Sequence, residues 1–171
     1  MELRCAGRSA QSVVHLYDSF VREPPSEADW LEVTDEPLDV ARAIAYASGP
    51  SWGGIASFVG LVRDHAGERT GVTAIEYEAY EEQVVPGFRK LAAEARARWP
   101  ALGRIVVWHR TGRVALAEAS VVVVVASAHR AEAFEACRYL IDTLKATAPI
   151  WKREFWPGGT DWSPAARELA R

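Results

Sequence analysis

The longest runs of hydrophobic residues in this chain predict buried β-strands. The segments GRIVVWHR (103–110) and EASVVVVVAS (118–127) are rich in β-branched residues and are separated by a turn-rich stretch. The segment GGIASFVGLV (53–62) is apolar on both alternating faces, so we expect a strand that is covered on both sides. A shorter strand is expected at WLEVT (30–34). Together these segments predict a sheet at the centre of the protein.

Three other segments repeat their apolar residues at helical spacing. PLDVARAIAYA (37–47) has a proline near its first turn, and EEQVVPGFRKLAAEARARWP (81–100) predicts a helix after Pro86. The strongest pattern is HRAEAFEACRYLIDTLKAT (129–147). Its buried stripe is predicted to consist of four residues at spacings of three, four and three: Phe134, Cys137, Ile141 and Leu144.

The order of these elements predicts an α+β fold. GERTG (67–71) predicts a turn that returns the chain from 53–62 into VTAIEYEAY (72–80), so we expect these two strands to pair antiparallel. Hairpins with helices between them favour helices packed on a mostly antiparallel sheet. Two prolines among acidic residues in VREPPSEADW predict a linker. We therefore expect a flexible N-terminal extension over 1–28 and one domain over 29–171.

Composition excludes several classes of protein. The 171 residues are 49% hydrophobic with a net charge of −3, which excludes a globally basic nucleic-acid binder. No apolar run approaches the roughly 18 residues of a membrane span, and no signal-peptide pattern is present. Cys5 and Cys137 lie far apart and have no metal-ligand spacing, so we expect neither a metal nor a cofactor. A soluble, cytoplasmic protein with a reduced thiol is the simplest interpretation.

Two lysines flank an Ala-Pro step in TLKATAPIWKRE (143–154). Helical geometry puts Lys145 at the shoulder of the apolar stripe, where a semi-buried amine would be a candidate nucleophile, proton donor or fixed charge. Pro149 ends the helix, so Lys152 is reached by a turn of chain and the two amines can converge. The alternative is that Lys145 only balances the helix dipole and Lys152 is a solvated surface charge.

Three further residues are candidates for binding an anion, namely His129, Arg130 and Arg63, and each has a structural alternative. His129 and Arg130 follow a strand at the start of a helix, where free N–H groups favour phosphate; the alternative is that Ser127 or His129 caps the helix. Arg63 closes an apolar strand and is otherwise a strand-end charge that Asp64 neutralises. Phe58 lies within that strand and is a core residue by default.

The wording of several segments resembles the large, catalytic subunit of molybdopterin synthase. The resemblance covers about residues 30–162, through FVGLVRDH, IEYEAYEE, HRTGRV, EASVVV and above all SAHRAEAFEACRYLIDTLKATAPIWKRE. It implies an α/β-hammerhead fold with an additional antiparallel β-sheet. It also implies a homodimer that carries one small ubiquitin-like sulfur-carrier subunit at each end, which makes a heterotetramer. Alanine stands at 117, where relatives often have glycine, so that turn is expected to differ in shape.

The resemblance also implies an activity and the residues that perform it. The reaction is sulfur transfer from the carrier's C-terminal thiocarboxylate to cyclic pyranopterin monophosphate, in molybdenum cofactor biosynthesis. The family's catalytic lysines match Lys145 and Lys152. Its substrate-binding residues match four positions: Phe58, Arg63, His129 and Arg130.

Two other classes of function remain open from the residues alone. One is a non-catalytic adaptor that binds a ubiquitin-like tail or a phosphorylated metabolite, because no single acid-base pair or nucleophile is compelling by itself. The other is a thiol- or metal-dependent enzyme, which the position of Cys137 on the apolar stripe disfavours.

Overall fold

The computed structural model describes residues 28–66 and 69–162 of the chain. The expected extension over 1–28 lies outside these residues except for Ala28, and the predicted domain is described as far as Trp162. The elements, in chain order, are β1 Asp29–Thr34, α1 Val40–Ala47, β2 Gly54–Leu61, β3 His65–Ala66, β4 Arg69–Thr70, β5 Ala74–Ala79, α2 Glu81–Arg98, β6 Leu102–Arg110, β7 Gly112–Ala115, β8 Ala119–Ser127, α3 Arg130–Thr147, β9 Ile150–Trp156 and β10 Gly159–Trp162.

The first sheet holds four strands in the order β1-β6-β8-β2. β1 runs parallel to β6, and the other neighbours are antiparallel. Alternate residues of β8 face two cores, one beneath α2 and α3 and the other beneath α1. Because both faces are covered, the five consecutive valines of β8 are all buried, which explains their unbroken apolar pattern. The strands predicted at 103–110 and 118–127 are confirmed.

The second sheet is entirely antiparallel, in the order β10-β9-β5-β7. The predicted pairing of 53–62 with 72–80 is wrong, because β2 pairs with β8 in the first sheet, whereas β5 pairs with β7 and β9 in the second. Val62 explains the divergence: its N–H donates to Glu118 and its carbonyl accepts from Ala117. These bonds tie the end of β2 to the turn before β8. The α+β class with an additional antiparallel sheet is confirmed.

β2 is an edge strand of the first sheet, and the predicted cover on both faces is only partial: Phe58 packs on the core beneath α2 and α3, and Val59 packs on the core beneath α1. Leu61 is 56% exposed and Ile55 is 36% exposed, whereas Ala56 is buried. An edge strand has a neighbour on one side only, so its apolar residues are more open than those of β8. Its apolar pattern therefore did not reveal its place in the sheet.

α3 buries a stripe of small and aliphatic residues beneath the first sheet. Cys137, Ile141 and Leu144 are buried as predicted, but Phe134 is 65% exposed. Ala133 takes the inward position in its place, because it lies about 100° from Phe134 around the helix. The remaining residues of the stripe are Ala136 and Leu140.

α2 begins earlier than the sequence pattern predicted. It starts at Glu81 and includes Pro86, because the Tyr80 carbonyl accepts the N–H groups of Gln83 and Val84 at 2.9 and 3.1 Å. Its buried residues belong to the core that α3 shares: Val84, Phe88, Leu91, Ala92 and Ala95. In the described ranges, no helix is both long enough and apolar enough to cross a membrane.

Candidate active site

Lys145 and Phe58 meet where α3 packs on β2. The Lys145 ammonium lies over the Phe58 ring, 5.1 Å from its centroid, which is the geometry of a cation–π contact. Lys145 is exposed, so the prediction of a semi-buried amine is wrong for the single chain. It also lies in the last turn of α3, where a cation is favourable for the helix dipole. The dipole interpretation and the contact with Phe58 therefore both hold.

Lys152 lies on a strand, not on a turn of irregular chain. α3 ends at Thr147, the N–H of Ala148 donates to the Leu144 carbonyl at 2.9 Å, and β9 begins two residues later. The Lys152 amine is 3.0 Å from a carboxylate oxygen of Glu154. The alternative that Lys152 is merely a solvated charge is therefore wrong.

Glu154 was missed in the sequence, although its position carried a signal. Residues two apart on a strand share a face, so the spacing of Lys152 and Glu154 places both side chains on one side of β9. Glu154 is only 5% exposed. A buried carboxylate is costly unless it is paired, so the ion pair holds the Lys152 amine in place.

A continuous row of side chains leads from Phe58 toward the second sheet. A Cβ at Gly60 would lie 3.3 Å from the Phe58 ring and 2.5 Å from Val121 Cγ1, so these two side chains fill the space above the glycine. Val121 is the register partner of Gly60 on one side and of His109 on the other. The row therefore crosses three strands of the first sheet.

His109 connects this row to the second sheet. Its ring meets that of Tyr77 edge-on, with centroids 5.1 Å apart and an interplanar angle of 75°. Tyr77 is the register partner of Lys152 across β5 and β9, so the two side chains share a face. Paired Cα atoms in antiparallel strands are about 4.5–5.5 Å apart. Lys145 and Lys152 thus lie at the two ends of one row of packed side chains, in which Val121 and His109 are buried.

His109 is a buried, neutral imidazole. Burial lowers its pKa to about 4, and the hydrogen bond to the Arg110 carbonyl acts in the opposite direction. Nδ1 lies 2.8 Å from that carbonyl oxygen, so it carries the proton and Nε2 keeps its lone pair.

Tyr77 and Ser120 add hydroxyl groups at the junction of the two sheets. Burial raises the pKa of Tyr77, interaction with the Ser120 hydroxyl lowers it, and the charge of Glu154 raises it further. Ser120 is buried and its hydroxyl donates to the Gly60 carbonyl at 3.3 Å. The junction is therefore polar, although apolar cores flank it.

His129 and Arg130 lie exposed at the start of α3. His129 occupies the N-cap position, but its side chain makes no capping hydrogen bond. Ser127 donates to the Ala101 carbonyl at 3.3 Å instead of capping the helix. Capping by either side chain is therefore wrong, and anion binding by His129 and Arg130 stays a prediction.

Arg63 lies beyond the other end of β2. Its Nε donates to the His65 carbonyl at 3.0 Å, and Asp64 pairs with His65 at 2.8 Å, so Asp64 does not neutralise Arg63 as expected. Arg130 lies beside Gly54, the first residue of β2. The eight residues of β2 span about 25 Å. Within one chain, the structure therefore does not bring Arg63 and Arg130 together.

Cys137 is a packing residue, as predicted. It is buried, and burial raises the pKa of its thiol to about 11. In residues 28–66 and 69–162, no group of three or more His, Cys, Asp and Glu side chains is arranged to hold a metal ion.

The chain has clear relatives of known family. The family model described as "MoaE protein" matches residues 33–147. The chain belongs to the MoaE family. The molybdopterin synthase catalytic subunit of Nostoc sp. is 40% identical over 136 residues, which cover 80% of this chain and 82% of the relative. This MoaE chain is an enzyme, a molybdopterin synthase subunit of molybdenum cofactor biosynthesis.

Solved structures have the same fold as this MoaE chain. Molybdopterin synthase from Staphylococcus aureus gives a TM-score of 0.73 at 28% identity, covering 78% of this chain and 96% of that one. A complex of subunits 1 and 2 of molybdopterin-converting factor from Helicobacter pylori gives 0.66 at 22% identity, covering 81% and 91%. The second likeness shows the fold alone.

The turn at Ala117 has a backbone conformation that favours glycine. Ala117 has φ 64°, in the left-handed region that side chains other than glycine rarely adopt. Its N–H donates to the Val62 carbonyl at 2.8 Å, so the conformation is used to bind the end of β2. Alanine therefore occupies a backbone conformation suited to glycine.

Proposed function

We propose that Lys145 and Lys152 are the catalytic amines of this MoaE chain. In the proposed reaction, sulfur passes from the C-terminal thiocarboxylate of a small ubiquitin-like carrier subunit to cyclic pyranopterin monophosphate. The observation that supports this most is that the two amines lie at the ends of one row of packed side chains, which leads from Phe58 through the buried Val121 and His109 to Tyr77. An extended chain end with few side chains is recognised through main-chain hydrogen bonds and a cationic end-point, which the lysine amines would supply.

The two amines differ in their surroundings, and we assign them different roles. Lys152 is held by the buried Glu154 and has a fixed position, which suits it to steer the thiocarboxylate. Lys145 lies on the Phe58 ring, and within residues 28–66 and 69–162 no carboxylate pairs with its amine. This suits it to polarise the thiocarboxyl carbon or to accept the acyl group briefly. Each sulfur that leaves the carrier is replaced there by oxygen from water.

Arg63, His129 and Arg130 are the proposed contacts of the substrate phosphate and the pterin edge, next to Phe58. Arg63 lies beyond one end of β2, whereas His129 and Arg130 lie at the other end. A small substrate can therefore contact both groups of cations only if one group comes from a second copy of the chain. We therefore also propose a homodimer, with one carrier at each end, acting in the cytoplasm. Light scattering that shows a monomer under assay conditions would contradict this assembly.

The decisive experiment separates the charge of Lys145 from its nucleophilic amine. Purified protein is mixed with thiocarboxylated carrier and the pterin precursor, and the dithiolene product is followed by mass spectrometry. Lys145→Ala should lower the rate about 100- to 1000-fold, as for the loss of one electrostatic group in an active site. Lys145→Arg should be equally slow if the amine acts covalently or transfers a proton. Lys90→Ala, an exposed lysine of α2, is the matched control.

Two outcomes would overturn these assignments at different levels. Lys145→Arg at the parental rate would exclude a covalent or proton-transfer role and leave the electrostatic one. Lys145→Ala and Lys152→Ala both at the parental rate would exclude the lysine pair altogether. An adaptor would bind the carrier or the precursor and leave both chemically unchanged.

A further inference from the structure

Tyr77 connects the two sheets at the position of Lys152. It belongs to β5 of the second sheet and lies directly opposite Lys152 on β9. Its ring packs edge-on against His109, which belongs to the first sheet and is only 6% exposed. The nearest neighbour of Lys152 across the sheet is thus also a contact between the sheets.

The partners of Tyr77 on the first sheet are themselves fixed. The 2.8 Å hydrogen bond from His109 Nδ1 to the Arg110 carbonyl fixes which ring nitrogen carries the proton, and it also restrains the ring. Ser120, which interacts with the Tyr77 hydroxyl, is buried and bonded to Gly60. His109 and Ser120 of the first sheet therefore hold the Tyr77 side chain in place.

We propose that Tyr77 is a positioning residue. Its ring packs against His109 and thereby sets the position of the Lys152 amine relative to Lys145. Glu154, on the same strand, restrains the Lys152 amine through an ion pair. Tyr77 instead fixes the distance between β9 and the first sheet, which carries Phe58. A displacement of about 1 Å at a catalytic group costs up to about 100-fold in rate. The proposal rests on the proposed function, because it takes Lys152 as a catalytic amine.

The test replaces the ring and compares it with a matched tyrosine elsewhere. Tyr46 on α1 contacts Trp30 with the same geometry, 5.1 Å and 74°, beneath the opposite face of the first sheet. Tyr77→Leu should lower kcat about 10- to 100-fold with an unchanged KM for the carrier, and Tyr77→Phe should restore most of the rate because it keeps the ring. Tyr46→Leu should keep the parental kcat, although it too loses a buried ring contact. Rates are measured below the unfolding temperature of each variant.

A readout independent of activity follows the Lys152 amine directly. The chain has three lysines, at 90, 145 and 152, so reductive methylation with ¹³C-formaldehyde gives a simple NMR spectrum, in which a Lys152→Arg variant assigns the signal of interest. Tyr77→Leu should shift the Lys152 signal and Tyr46→Leu should not.

The outcomes distinguish this proposal from the proposed function. An unshifted Lys152 signal in Tyr77→Leu, or a kcat for Tyr77→Leu equal to that of Tyr46→Leu, would overturn the positioning role. Tyr77→Phe that stays as slow as Tyr77→Leu would also overturn it, because the ring would not be the active part. A parent protein that makes no product from carrier and precursor would refute the proposed function, while the NMR comparison would still decide whether Tyr77 positions Lys152.

Discussion

Two strands, β8 of the first sheet and β9 of the second, bury opposite kinds of side chain. β9 is the strand that carries Lys152. In β8, every residue from Ser120 to Ser127 is buried, and all but the two terminal serines are apolar. In β9, a single residue is buried, and it is Glu154. The first sheet lies between layers of helices. The second sheet holds the ion pair of Lys152 and Glu154 next to the junction between the two sheets. The buried apolar residues are thus concentrated in the first sheet, whereas the strand that carries Lys152 buries a charge.

The largest expected effect tests whether the core of the first sheet beneath α1 acts only through stability. Trp108 is buried beneath α1, on the face of the sheet opposite to Phe58, and contacts Trp30 at 4.8 Å. Trp108→Ala should lower the free energy of unfolding by about 4 kcal/mol, because it leaves a large cavity. Urea denaturation followed by circular dichroism measures this loss. A fall in the rate per folded molecule would break the comparison, because it would show that this core also serves the chemistry.

A somewhat smaller effect concerns His109, the residue of the first sheet that faces the junction. Its pKa is about 4 in the folded protein and near 6.5 in the unfolded chain, so below pH 6.5 the unfolded state binds the proton first. Stability should therefore be complete above about pH 6.5 and fall as the pH drops toward 4, by about 3 kcal/mol from this group. Denaturation curves across this range should show a shallower dependence for His109→Gln than for the parent. Parallel slopes would mean that His109 is accessible to protons in the folded state.

The smallest expected effect lies in the turn that leads from the second sheet to the first. Ala117→Gly should raise the free energy of unfolding by about 0.5–1 kcal/mol, because glycine adopts the left-handed conformation without the clash of a Cβ. Gly112→Ala is the matched control with the opposite sign, since Gly112 has φ 71°. Thermal unfolding of the two variants measures both. If Ala117→Gly were destabilising, the turn would not be strained as its backbone indicates.

Local patterns predicted the elements whose burial is uniform. The valines of β8 and the aliphatic residues of α3 have the periodicity of a covered strand and of a one-sided helix, so both were found. The same reasoning failed at Phe134 and β2, because periodicity reports that a residue is apolar and not whether a neighbour covers it. Lys145 and Phe58 were identified one by one, but their contact depends on how α3 crosses β2.

The amino-acid sequence by itself determined the α+β class, the central strands and the helices, and it supplied the charged residues that we propose for the site. The tertiary structure decided that β2 pairs with β8, that Lys152 lies on a strand beside the buried Glu154, and that Tyr77 and His109 meet between the sheets. The physical reason is range: periodicity and capping act over a few residues, whereas pairing between distant strands depends on the burial of the whole surface. Tyr77 could be recognised only after β5 and β9 were seen side by side, and Glu154 only after its burial and its ion pair with Lys152 were seen.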